Sequence, residues 1–213
     1  SGPIRPVGSG HSFSPLVPTD GHLIVIDQLS GVFDHDSLSL QATVGAGTRL
    51  GDLGAPLFEI GQGMLNLPDI DRQTVAGATA TGTHGTGINF KSLSGYITGL
   101  RIITASGEVK DIDASHGDLF DAARVNLGAL GIVTQIRMQN RKSFKLKKRE
   151  WTAPTEELLQ DFDTLAESHR QFEIFPLVYS DYSLALAIDE TEQPIRQTIA
   201  PAQEVELADL RPL

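Results

Sequence analysis

The sequence predicts an α+β fold built as two successive units, and three observations carry that reading. Short apolar runs of strand type recur through residues 1–141, with only brief helical patterns between them. Near residue 142 the texture changes. A basic strand, a helix and two more strands follow in that order, which describes a second α+β unit over 142–213. Glycine-rich stretches at 8–10, 77–87 and 128–131 fall at the ends of predicted elements, where a backbone turns or something approaches it closely.

Ile4 to Val7 reads as the end of a strand, and Gly8 and Gly10 permit a turn with positive φ that leaves His11 at its tip. Leu23 to Ile26 is a second strand. Val32-Phe33, a polar turn Asp34 to Ser37, and Leu38 to Val44 form a hairpin. Gly45-Ala46-Gly47 ends it, and Thr48 is placed to cap an amphipathic helix over 49–60, whose Leu50, Leu53, Leu57 and Ile60 share one face before Gly61. From Thr74 to Thr83 no side chain exceeds Val in size. This predicts a short helix of Ala, Gly and Thr, capped by Thr74 and open to close approach. Taken alone, the same stretch also fits a helix packed in a core, with His84 as a satisfied core histidine.

Leu100 to Thr104 and Glu108 to Ile112 flank the turn Ala105-Ser106-Gly107 as a hairpin. A helix over Asp118 to Val125 presents Leu119, Phe120 and Ala123, and Gly128 to Gly131 leads into the strand Ile132 to Met138. Lys142, Lys145, Lys147, Lys148 and Arg149 make a basic strand, with Phe144 and Leu146 on its other face. It is read as a charge-protected sheet edge rather than an anion site. Thr155 is expected to cap a helix with Leu158, Leu159, Phe162 and Leu165 on its stripe, followed by strands over Phe172 to Pro176 and Ser183 to Ile188. The tail from Thr191, poor in large apolar residues, is expected to be mobile or incomplete.

Composition excludes several classes of function. A net charge of −10 argues against nucleic acid or an anionic membrane as partner, since both require basic surface. With no Cys there is no thiol nucleophile, disulfide or Cys-ligated metal, and the absence agrees with a cytoplasmic location. No apolar run is long enough to span a bilayer. No carboxylate cluster joins His11 and His84, so no metal site is expected, and His22, His35, His116 and His169 are assigned no chemistry. The first glycine stretch lacks the Lys of a nucleotide hydrolase loop, and Phe13 stands where a dinucleotide fold needs its third glycine. A surface turn with an incidental His remains the plain reading of that stretch by itself.

Together the three stretches carry a resemblance. Gly8-Ser9-Gly10-His11-Ser12, Thr81-Gly82-Thr83-His84-Gly85-Thr86-Gly87 and Leu127-Gly128-Ala129-Leu130-Gly131-Ile132-Val133 occur in this order and spacing, with His169-Arg170 and Phe172 to Phe175 beyond them. Over residues 3–190 the chain resembles the PCMH-type FAD-binding domain of the vanillyl-alcohol oxidase superfamily. Within it, the chain is most similar to the sugar-1,4-lactone oxidase and alditol oxidase branch. The resemblance implies two α+β subdomains gripping an extended FAD, followed by the start of an α+β cap domain over the isoalloxazine. It implies a cofactor site made of Pro6, Val7, Gly8, Ser9, Gly10, His11 and Ser12, then Pro68, Asp69, Thr74, Gly77, Thr81, Gly82, Thr83 and His84, and finally Gly131, Ile132 and Val133.

Gly8 to Ser12 would be the diphosphate loop and His11 the residue joined covalently to the flavin 8α carbon. The implied activity is oxidation of a CH–OH group of a sugar alcohol or aldono-1,4-lactone, with oxygen or another acceptor reoxidising the flavin. The first strand and helix of that domain, and the C-terminal part that holds the alcohol-binding groups, have no counterpart in these residues. The chain is therefore expected to be a piece of a longer protein, with the catalytic base outside it. Two other readings are a flavin reductase of the same fold, of the cell-wall precursor type, and a non-catalytic nucleotide-binding module.

Overall fold

The computed structural model describes residues 2–195. Strands β1 (Ile4–Val7) and β2 (His22–Val25) pair in parallel, Ile4 opposite His22 and Val7 opposite Val25. Their apolar side chains stay largely exposed, with Ile4, Leu23 and Val25 all more than half accessible. The pair delivers the Gly8 turn to Thr74.

That sheet contains β3 (Val32–Asp36), β4 (Gln41–Gly45), β5 (Gln62–Met64), β6 (Ile97–Ile103), β7 (Val109–Asp113) and β8 (Ile132–Lys142). Its order is β3-β4-β8-β6-β7, with β5 also on β8, and every pairing is antiparallel. β8 is the hub. It is long because its apolar residues sustain pairing with β4, β5 and β6. Val133, Ile136 and Met138 of β8 are buried together with Val44, Leu100, Ile102 and Ile112. Ile136 is fully buried, so Ile136→Ala should cost about 2–5 kcal/mol. The opposite face carries Arg101, Asp111, Gln135 and Arg137, as period-two alternation requires of a half-solvated sheet.

Helices α1 (Gly54–Glu59), α2 (Val75–Ala80) and α3 (Asp118–Arg124) are short. Leu50, Leu53 and Leu57 are buried as expected, but the run opens as a 3-10 turn over Leu50–Leu53 and only then becomes α1. Thr48 does not cap it. Its Oγ1 instead accepts from the Gly31 amide at 2.9 Å and donates to the Gly45 carbonyl at 2.6 Å, tying two strand ends together. In the first hairpin, Asp34 to Asp36 belong to β3 rather than to the turn. Asp36 Oδ1 accepts from the Leu38 and Ser39 amides, which moves the reversal to residues 37–40. Leu119, expected on the buried face of α3, is 41% exposed beside buried Phe120 and Ala123.

A second, separate core of Leu158, Ala166, Phe172, Ala185 and Ala187 forms under a three-stranded sheet. Its strands are β9 (Leu146–Pro154), β10 (Gln171–Pro176) and β11 (Tyr182–Glu190), in the order β10-β11-β9. β9 lies at the edge, where its exposed Lys147, Lys148 and Arg149 disfavour pairing with another chain. The helix breaks at Asp161 into α4 (Thr155–Gln160) and α5 (Phe162–Ser168). This break turns Leu159 outward, 58% exposed. Thr155 lies inside α4 with Pro154 as the cap residue, and its hydroxyl meets Ser183 Oγ at 2.8 Å. The end of the tail, beyond 195, lies outside the described residues.

Candidate cofactor site

A cleft runs between the Gly8 turn, the outer side of α2, and the segment Asn126 to Val133. Its empty space is about 1020 Å³, counting the part open to solvent.

Helix α2 shows how the sequence makes one wall. Val75, Ala78 and Thr79 point into the core and are buried, while Gln73, Ala76, Gly77, Ala80 and Thr81 repeat at helical spacing along the cleft. Thr74 caps the helix as expected, its Oγ1 accepting from the Gly77 amide at 3.3 Å. A Cβ on Gly8 would sit 2.1 Å from that same Oγ1, so the turn can lie against the cap only as glycine. The expectation of positive φ at both turn glycines holds for Gly10, at +70°, and not for Gly8, whose role is close approach. Ser9 Oγ donates to the Arg72 carbonyl at 2.6 Å, a second tie between turn and helix start.

The third wall follows the same logic. Gly131 has φ +135°, and a Cβ there would meet the Ile103 carbonyl oxygen at 2.3 Å. Val133 faces the cleft, whereas Ile132 does not line it, because neighbours on a strand face opposite sides. Asn126 holds the approach to this segment. Its Nδ2 donates to the Ala123 carbonyl at 2.8 Å and its Oδ1 accepts from the Gly128 amide at 2.7 Å.

Of the residues expected from sequence, Pro6, Val7, Gly8, Ser9, Gly10, His11, Ser12, Thr74, Gly77, Thr81, Gly131 and Val133 line this one cleft. Pro68, Asp69, Gly82, Thr83, His84 and Ile132 do not. His84 is exposed, with Nδ1 3.0 Å from the Gly85 carbonyl oxygen, so the core-histidine reading is wrong. Asp69 lies beside Glu173 of β10 instead. Burial pushes the Glu173 carboxyl above its usual range, the Thr86 hydroxyl donating at 2.7 Å opposes this, and the Asp69 carboxylate adds to the rise. Among the polar lining residues the sequence reading missed Arg5, Gln73 and Asn126. The Asn-x-Gly turn signature at 126–128 was a usable signal for the last.

The chemistry of the cleft suits an extended ligand with an anionic centre. The amides of Ser9 to Ser12 donate to no acceptor among the described residues, so a row of N–H groups is available at the turn. Arg5 is the only Lys or Arg on the cleft wall, and the rest is largely small or apolar. Fold and cleft together suit a domain that binds an extended anionic ligand, with free backbone amides at one turn and small residues along one wall.

The comparisons with known proteins agree. A family profile described as "FAD binding domain" matches residues 1–113, and the chain belongs to that family. Its cofactor is FAD. An L-gulono-1,4-lactone dehydrogenase of Mycobacterium tuberculosis is 38% identical over 195 residues, covering 92% of this chain and 45% of that protein. An L-gulonolactone oxidase of Bos taurus is 30% identical, covering 90% and 44%. A D-arabinono-1,4-lactone oxidase of Kluyveromyces lactis is 31% identical, covering 90% and 38%. These relatives support the sugar-1,4-lactone branch, and the chain spans less than half the length of each. A cholesterol oxidase from Brevibacterium sterolicum superposes with a TM-score of 0.79 at 20% identity, covering 90% of this chain and 41% of that one. That likeness establishes the PCMH-type fold alone. No helix among the described residues is long and apolar enough to cross a membrane.

Proposed function

We propose that this chain is the greater part of the FAD-binding domain, with the start of a cap domain from residue 142, of an oxidoreductase acting on the CH–OH group of a sugar-1,4-lactone or sugar alcohol. The observation that carries the reading is the convergence of the Gly8–Ser12 turn, the small-residue side of α2 and the Gly131 segment on one cleft. The reductase and non-catalytic readings gain nothing from that cleft or from the relatives. Oxygen as electron acceptor and a cytoplasmic location belong to the same proposal.

Bound FAD supplies the hydride acceptor, flavin N5. The Ser9 to Ser12 amides hold its diphosphate, and Arg5 adds a cation at that end. Gly77 and Thr81 keep the helix wall low enough for a flat body to lie against it. His11, exposed at the turn, is the covalent attachment point. There its ring nitrogen would be joined to the 8α carbon in place of one C–H, the C–H and N–H protons both being lost and two electrons passing into the flavin, which the electron acceptor then reoxidises. We place the base that takes the substrate's hydroxyl proton outside this chain; in support, no carboxylate among the described residues lines the cleft, and His11 is given to the flavin bond.

Two experiments test these statements. Acid-precipitated protein should keep its flavin fluorescence, and His11→Ala should release FAD on denaturation. Flavin that washes free of the unaltered protein refutes the covalent bond. Under anaerobic conditions, gulonolactone, galactonolactone, xylitol or sorbitol should bleach the flavin of the intact gene product and not that of residues 1–213 loaded with FAD. Bleaching by the shorter chain would place the base within it.

A further inference from the structure

Leu127 carries two costs that the fold itself does not recover. It occupies the first central position of the turn from Asn126 to Ala129, closed by the Ala129 amide donating to the Asn126 carbonyl at 2.8 Å. Both central residues have positive φ, +51° at Leu127 and +75° at Gly128. Turns with both central φ values positive favour Gly, Asn and Asp, because a larger side chain brings its Cβ against the following carbonyl oxygen. The second cost is exposure. Leu127 is 48% accessible and belongs to neither buried core, whereas Leu130, three residues on, packs against the larger one. Leu40 and Tyr179, the other non-glycine residues at positive φ among the described residues, sit in hairpin reversals away from the cleft.

Leu127 stands where the three walls of the cleft meet. Its amide donates to the carbonyl of Ala80, the last residue of α2, at 3.3 Å, and a Cβ on Gly128 would lie 4.0 Å from Pro6 Cγ. All four of these residues line the cleft. The Asn126 side chain, bonded to Ala123 on one side and Gly128 on the other, keeps the turn from relaxing. Strain of this kind persists only where the surroundings over-determine it, and it collects at ligand clamps.

We infer that Leu127 is a cofactor-binding residue, held in a strained turn so that its isobutyl group covers an aromatic ring of bound FAD. The inference rests on the FAD-site reading above. FAD carries hydroxyls and a diphosphate along its middle and presents apolar ring surface at its two ends. An isobutyl group gains nothing against the charged middle, so a ring is the partner that it fits. The strain is present whether the cleft is empty or filled, while the burial that offsets it comes only with the ligand. Asn or Gly at position 127 would make an easier turn and a poorer cleft.

The test uses intact protein carrying His11→Ala, so that FAD binding is reversible, and reads the Kd by quenching of FAD fluorescence. Leu127→Asn suits the turn and removes the apolar group. It should raise the Kd roughly three- to tenfold, the range for burying about half of a leucine side chain. It should leave the melting temperature of the apoprotein unchanged or higher, because Asn tolerates positive φ. Leu127→Met keeps an apolar group of similar volume and should bind closer to the parent than Leu127→Asn does. Three outcomes overturn the inference. They are an unchanged Kd in Leu127→Asn, a loss of apoprotein stability that accounts for the weaker binding, or Leu127→Met binding as weakly as Leu127→Asn. Failure of the parent protein to bind FAD at all would instead refute the site reading itself.

Discussion

Gly8→Ala should be among the most damaging single-methyl additions to this protein, and the reason is local enough to test by a double-mutant cycle. The new Cβ would lie 2.1 Å from Thr74 Oγ1 and 3.2 Å from both Thr74 Cβ and Cγ2. Thr74 is buried, and its three staggered rotamers put oxygen, methyl or hydrogen toward the intruder. Only the last avoids collision, and it swings Oγ1 away from the Gly77 amide that it caps. Losing such a cap costs about 1 kcal/mol, and residual overpacking adds about 1–3 kcal/mol. Gly8→Ala should therefore destabilise by about 2–4 kcal/mol, and Thr74→Ala by about 1 kcal/mol. In the double variant Oγ1 and Cγ2 are gone and only the 3.2 Å Cβ contact is left, so it should be more stable than Gly8→Ala alone by about 1–3 kcal/mol, a coupling of about 2–4 kcal/mol. Urea unfolding of the apoprotein measures all three. Strictly additive losses would show that the Thr74 contact is not why position 8 is glycine.

Gly77→Val tests the cleft rather than the fold. A Cβ there meets only Thr74 Oγ1, at 3.0 Å, and otherwise opens into the cleft. Apoprotein stability should change by less than about 0.5 kcal/mol, since Val is the better helix former, while FAD binding is lost; a folded variant with unchanged flavin content would remove α2 from the site. On the far face of the sheet, Asp111 takes Arg101 Nε at 2.7 Å and Nη2 at 2.8 Å, and the Arg101 bond holds its carboxyl below the usual range. With a depressed folded-state value, the stabilisation is present above about pH 4 and lost as pH falls through that value. Because the pair is exposed, Asp111→Asn should cost under about 1 kcal/mol at neutral pH. A cost that persists unchanged in acid would refute the ion-pair account.

The fold was legible where burial alone decides it. Leu50, Leu53 and Leu57 announced a buried face, and the Ala105–Gly107 turn set its hairpin. What escaped were features settled by partners distant in sequence. Thr48 looked like a helix cap because its neighbours fit one, yet Gly31 and Gly45 claim its hydroxyl. The parallel pairing of β1 with β2 left no periodic signal, since neither strand has a buried residue. In the site, small residues gave away α2 and the turn, because close approach forbids side chains and so writes itself into composition. Gln73 carried no such mark. A glutamine beside a capping threonine is ordinary until the structure places it on the cleft wall.

Arg170 and the first residues of β10 clasp the first unit at several points. Arg170 Nη2 donates to the Leu65 carbonyl at 2.6 Å and its guanidinium lies 4.3 Å from the Phe90 ring centroid. Gln171 Nε2 reaches Asn66 Oδ1 at 2.9 Å, and Thr86 donates to Glu173. Residues 65–66 and 86–90 are thus shaped by residues eighty or more positions away. A recombinant that exchanges everything after residue 142 for a relative's sequence would inherit a new tail and lose the clasp. Swaps of this kind should keep the first unit's architecture only when residues 170–173 travel with the unit they hold. The natural seam for recombination is therefore not the point where the chain passes from one core to the next.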